Sequence, residues 1–161
     1  MNKLLLSLAC SLTAWCAQAG QLALTSPDIK PNGTIADKFV YHGFGCSGDN
    51  VSPALSWSGA PAGTRSFALL VHDPDAPTGG AGWWHWLVYD IPATASALAQ
   101  GAGSADGAAL PKGAHQGKTD FGSVGWGGPC PPVGHGRHHY HFTLHALKVA
   151  KLDIPDGAAP A

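Results

Sequence analysis

Four histidines, His135, His138, His139 and His141, fall within one short stretch, GWGGPCPPVGHGRHHYHF, residues 125–142. Imidazole is the side chain whose charge changes nearest neutral pH, so such a cluster suits proton transfer, metal ligation or the holding of an anion. The stretch also supplies the phenol of Tyr140 and the sulfur of Cys130. Its glycines let backbone come close to a ligand, and its prolines fix a loop shape before anything binds. A second stretch, SFALLVHDPDAPTGGAGWWHWLVYDIP, places a carboxylate, Asp73, and an imidazole, His85, among large apolar residues.

Two kinds of chemistry fit these residues poorly. A zinc site wants thiolate or carboxylate partners for its imidazoles, but the chain has no glutamate and no closely spaced cysteine pair. On a strand, moreover, His138 points away from His139 and His141, which share a face. Neither a metal nor another cofactor is expected, and a solvated histidine face is the simpler reading. A hydrolase built on Asp73, His85 and a serine is the alternative, yet no Gly-x-Ser-x-Gly elbow occurs and Ser123 has no evident base. Neither a zinc site nor a serine hydrolase is therefore marked by these residues.

The elements that must position these groups are strands. With 22 glycines, 13 prolines and no glutamate, the sequence is poor in helix formers and rich in turns, which predicts a mainly β protein. Strand character is found over Gln21–Thr25, Lys38–His42, Ala54–Trp57, Ser66–Asp73, Trp83–Ile91 and His138–Val149, with PNGT, SGDN and PAGT as turns between them. The Ala- and Gly-rich segment from Pro92 to Gly117 reads as a long crossover with at most a short helix.

Alternation along these strands sorts the side chains into rows. Phe67, Leu69, Val71 and Asp73 form one apolar row, and His138, Tyr140, Phe142, Leu144 and Ala146 form another. Trp83, His85, Leu87, Tyr89 and Ile91 form a third, although its opposite row, Trp84, Trp86 and Val88, is apolar as well. A carboxylate, two imidazoles and a phenol thus end or interrupt core-facing rows, where an unpaired polar group costs several kcal/mol. Either they converge on a pocket or each is satisfied locally; parity leaves both open.

Composition sets the compartment and the partners. The chain has 161 residues, 45% of them hydrophobic and 12% charged, with a net charge of −1. One domain is expected, with no basic stripe for nucleic acid and no cationic helix for a lipid surface. Residues 1–19 carry Lys3, an apolar run from Leu4 and the small-x-small site Ala17-Gln18-Ala19, the pattern of a cleaved secretory signal peptide and not of a stable membrane anchor. A single domain over 20–161, periplasmic or secreted, follows. Cleavage leaves two cysteines, Cys46 and Cys130, which in an exported chain are expected to form a disulfide; two buried free thiols are the alternative.

The stretches DPDAPTGGAGWWHWLVYDIP and GWGGPCPPVGHGRHHYHF, together with GCSGDNVSPALSWSGAPAGTRSFAL, resemble the signatures of the phosphatidylethanolamine-binding protein family, which includes the Raf kinase inhibitor proteins. The likeness is to its bacterial, exported branch. It implies a β-sandwich of two packed sheets with few short helices and a small pocket for phosphate-type anions or phospholipid head groups. By motif, Asp73, His85, Pro131, His138 and Tyr140 would bind the ligand, with Gly128 and Cys130 near the rim. His85, His138 and Tyr140 would act as donors and Asp73 would orient an imidazole or a ligand amine; a tight turn at Ala76-Pro77 would hold a cis proline. Asp75 is expected to cap its own turn, and the tryptophans to form core and pocket walls. The family's usual C-terminal helix and closing strand do not follow Leu147 in this sequence: in a complete chain an uncovered edge or face would favour a homodimer, and in a fragment the pocket would lack part of its wall. The resemblance also suggests an inhibitor of some target protein, which an exported chain would meet outside the cytoplasm.

Overall fold

The computed structural model describes residues 21–155, Ala158 and Pro160; the expected signal peptide lies outside them. Nine strands follow in order: β1 (Ala23–Thr25), β2 (His42–Gly43), β3 (Cys46–Ser47), β4 (Leu55–Ser58), β5 (Ser66–Asp73), β6 (Trp83–Pro92), β7 (Ala97–Leu98), β8 (His115–Gln116) and β9 (His141–Leu147). They form a three-stranded sheet, β1-β4-β7, a four-stranded sheet, β8-β6-β5-β9, and the hairpin β2–β3, with every pairing antiparallel. Among the described residues there is no α-helix, only a 3-10 turn at Asp37–Phe39.

The two larger sheets bury one another's apolar rows. Leu55, Trp57 and Leu98 come from the first, and Phe67, Leu69, Val71, Trp86, Val88 and Ile91 from the second. Trp57 meets Phe67 edge to face at 5.5 Å between ring centres, a favoured aromatic geometry across a sandwich. β5 is the central strand, and its expected row is confirmed: Phe67, Leu69, Val71 and Asp73 are all buried. On β9 the alternation holds too, since Phe142, Leu144 and Ala146 pack on the core while His141, Thr143 and His145 are exposed.

β6 departs from simple alternation. His72 pairs with Trp84 and Val71 with Trp86, so His85 is the extra residue of a β-bulge. The bulge turns both His85 and Trp86 inward, and it transfers Val88 to the core row in place of Leu87. A second irregularity, where Asp90 takes φ +55°, restores Ile91 to the interior. The single row Trp83-His85-Leu87-Tyr89-Ile91 is therefore broken twice. Asp90 is held in this conformation by accepting a bond from Leu152 N at 2.8 Å.

Two expected strands also change. Of Lys38–His42 only His42 is in a strand, the start of β2, because the backbone before it bonds to two separate segments: Val51 N to Lys38 O and Asn50 N to Val40 O on one side, and Tyr41 N to Pro129 O on the other. The last strand begins at His141 instead of His138, because β5 stops at Asp73 before Pro74, which offers no N–H to extend the ladder. The crossover from Pro92 to Gly117 contains turns and the short strands β7 and β8.

Candidate functional site

The bulge in β6 and the end of β5 bring polar groups to one end of the four-stranded sheet. Asp73, the last residue of β5, is buried, and its Oδ2 accepts a bond of 2.7 Å from His138 Nδ1. The two side chains are 4% and 2% exposed, which makes the pair interior although His138 lies on a loop. A buried carboxylate requires such a partner, so the contact fixes where the 131–138 loop sits. The other oxygen of Asp73, Oδ1, accepts from Asp75 N at 2.9 Å. Asp73 is thus the cap of this turn, contrary to the expectation for Asp75.

Asp75 has a different task. Its Oδ2 accepts from both the backbone N and Nδ1 of His139, each at 2.7 Å. These bonds, the side-chain one first, hold its carboxyl below the ordinary carboxylate range. Asp73 and Asp75 therefore fasten one turn to two consecutive histidines. The peptide bond at Ala76-Pro77 is trans, as are all peptide bonds among the described residues, so the expected cis proline is corrected. The turn closes instead through Thr78 N to Ala76 O and Thr78 Oγ1 to Gly82 O.

His85 is 3% exposed, and its Nδ1 donates to Gly127 O at 2.5 Å while Gly127 N donates to His85 O. A carbonyl only accepts, so Nδ1 carries the hydrogen and neutral His85 keeps a lone pair on Nε2. Burial pushes its pKa below the ordinary imidazole value, against the opposing pull of the Gly127 carbonyl and the Asp73 charge. Tyr140 stands edge-on to His85 with ring centres 5.1 Å apart. Its Oη is buried and makes no hydrogen bond within the protein. Burial first, then Asp73 and Asp75, raises its pKa, which keeps the phenol protonated.

A pocket of about 390 Å³ opens here, lined in part by Asp73, His85, Cys130, Pro131 and His138. Five of the seven expected ligand residues thus share one cavity. Tyr140 is outside the lining, behind His85, and Gly128 is outside it as well. A Cβ on Gly128 would lie 2.1 Å from Phe39 O, so this glycine serves a close backbone crossing. Asn50 supports the same crossing, accepting from Gly128 N at 2.8 Å and donating to Trp126 O at 3.1 Å.

Phe44 and Phe121, loop residues that no strand alternation marks, form the apolar wall. Phe121 packs flat over Gly127, where a Cβ would be 2.4 Å from its ring, and meets Trp83 edge to face at 5.5 Å. Phe44, 76% exposed at the tip of the β2–β3 hairpin, stacks on Phe121 at 6.0 Å. The signal was present in YHGFGC, an aromatic between two glycines at a turn. The Cys46–Cys130 disulfide, as expected, joins this hairpin to the opposite wall. Ser123 lies outside the lining, and Thr78, whose hydroxyl is committed to Gly82, is the pocket's single alcohol.

Comparison with known proteins gives this arrangement a family. A model described as phosphatidylethanolamine-binding protein matches residues 25–161. The chain belongs to that family. It is 48% identical to YbcL of Escherichia coli K12 over 161 residues, covering all of this chain and 87% of that protein. It is 46% identical over 115 residues to a Mycobacterium tuberculosis protein named as the lipoprotein LppC, covering 71% of this chain and 52% of the other. The crystal structure of E. coli YbcL superposes with a TM-score of 0.83 at 50% identity, over 86% of this chain and 84% of that one. That of a family homologue from Chlamydia trachomatis gives 0.69 at 33% identity, over 85% and 81%.

Proposed function

We propose that this protein is an exported binding protein whose pocket takes a phosphate-type anion or a phosphorylated head group. The observation that carries the reading is the buried Asp73–His138 pair lying in one cavity with His85. Asp73 holds Nδ1–H of His138, which directs the second ring nitrogen away from the carboxylate. Donors to an ionised oxygen form the stronger class of hydrogen bond, so an imidazole oriented in this way favours an oxyanion. No lysine or arginine lines the pocket, which leaves histidine as its source of positive charge. Phe44, Trp83 and Phe121 suit the apolar remainder of such a ligand. Export is supported by the disulfide, by the N-terminal pattern and by the relative named as a lipoprotein. An inhibitory action on an extracytoplasmic target protein belongs to the same reading.

The test is calorimetric titration with inorganic phosphate and with phosphoethanolamine. Neutral His85 offers Nε2 as an acceptor, so an oxyanion binds best after that nitrogen takes a proton. Binding then takes up a proton and tightens as pH falls. Because burial depresses the His85 pKa, the steep part of the dependence is expected below the ordinary imidazole value of about 6.5. Affinity that rises with pH would contradict the assignment. His85→Ala is expected to weaken phosphate binding by about 1–3 kcal/mol and to flatten the pH profile.

A further inference from the structure

His138 has no ring nitrogen free for a ligand. Nδ1 is bonded to Asp73, and Nε2 lies 3.0 Å from Nδ1 of His135. The two imidazoles meet edge to face, with centres 5.2 Å apart. His135 is exposed, while the His138 side chain is interior. The outer ring therefore covers the inner one at the atom on which an oxyanion would be held. His135 sits in a turn closed by its own N–H to Pro132 O. Gly134 and Gly136 flank it at φ +82° and +86°, and a Cβ at either would meet nothing within 4 Å. Pro132, at the base of this turn, itself lines the pocket.

We propose that His135 is a built-in stand-in for the ligand, occupying His138 Nε2 in the empty protein and swinging out on its two glycines when an oxyanion takes its place. This rests on the anion-binding reading above. One hydrogen lies between the two nitrogens: either His135 donates it to neutral His138, or protonated His138 donates it to His135. An incoming phosphate oxygen accepts only in the second state, and it then competes with His135 for the same N–H. The surface ring stays tethered at the pocket edge, so the competition is intramolecular and continuous. His135 thereby lowers the affinity for weak or misfitting anions and sets a threshold that only a ligand with further contacts in the pocket overcomes.

His135→Ala tests this, since the exposed ring is outside the core and its removal leaves Asp73–His138 in place. Loss of one competing hydrogen bond of about 1 kcal/mol is expected to tighten inorganic phosphate binding roughly fivefold. Independently of any ligand, the ¹⁵N signal of His138 Nε2 should shift in the unliganded variant, while that of Nδ1 stays. Phosphate binding by both proteins with equal or weaker affinity in His135→Ala, or an unchanged Nε2 signal, would overturn the stand-in role and leave the anion site standing. Absence of phosphate binding in both would overturn the two together, whereas binding by the variant alone would support both.

Discussion

His138→Ala is expected to destabilise the fold by about 3–5 kcal/mol at neutral pH, because it leaves the Asp73 carboxylate buried without its partner. Denaturant unfolding at pH 7.5 measures the loss. Adding Asp73→Asn to His138→Ala should recover part of it, because the buried charge is gone, whereas a loss due to a simple cavity would not be recovered. A double variant no more stable than His138→Ala at pH 7.5 would show that the carboxylate reaches water, contrary to its 4% exposure. Phosphate binding is expected to disappear in both.

Removing the disulfide has an effect of similar size through the unfolded state. Cys46 and Cys130 are 84 residues apart, and closing a loop of that length restricts the unfolded chain by about 4.5 kcal/mol in the chain-entropy account. The pair Cys46→Ala and Cys130→Ala is expected to lower the melting temperature by roughly 10 °C or more. Binding should suffer as well, because the bridge joins the hairpin that carries Phe44 to the wall formed by Cys130 and Pro131. Reduction of the native protein should reproduce both effects. A melting temperature within a degree or two of the parent would show that the hairpin is held without the bridge, by Phe44 on Phe121 and by Tyr41, whose ring stacks on Phe121 at 4.4 Å.

The sequence made much of this legible, and the exceptions have a common cause. Alternation along SFALLVHD put Asp73 at the end of a core row, and along HHYHFTLHA it put His138 and Tyr140 on the inner side; the cavity joins the first two. Alternation failed on β6 because a bulge inserts one residue, and no residue type in WWHWLVYDI marks where. It also failed for loop residues, which have no period. Phe121 reaches the pocket because Gly127 lets its ring lie flat, and Asn50, outside the lining, braces that loop by bonding Trp126 O and Gly128 N. Asp75 was assigned to its own turn on short-range logic, whereas its partner is 64 positions away. Family resemblance carries the expectation that these residues meet a ligand. The contact between His135 and His138 joins two loop positions and has no signature in the sequence.

The order in which the strands pair bears on how the protein is made. β5, the middle of its sheet, gains its second neighbour only when residues 141–147 arrive, with Ser66 opposite Leu147. Throughout synthesis the emerging chain must therefore carry an apolar edge with no mate until residues 141–147 have been made. Holdase chaperones would find their target in SFALLV, and a cavity walled by both Asp73 and His138 would appear only late in translation.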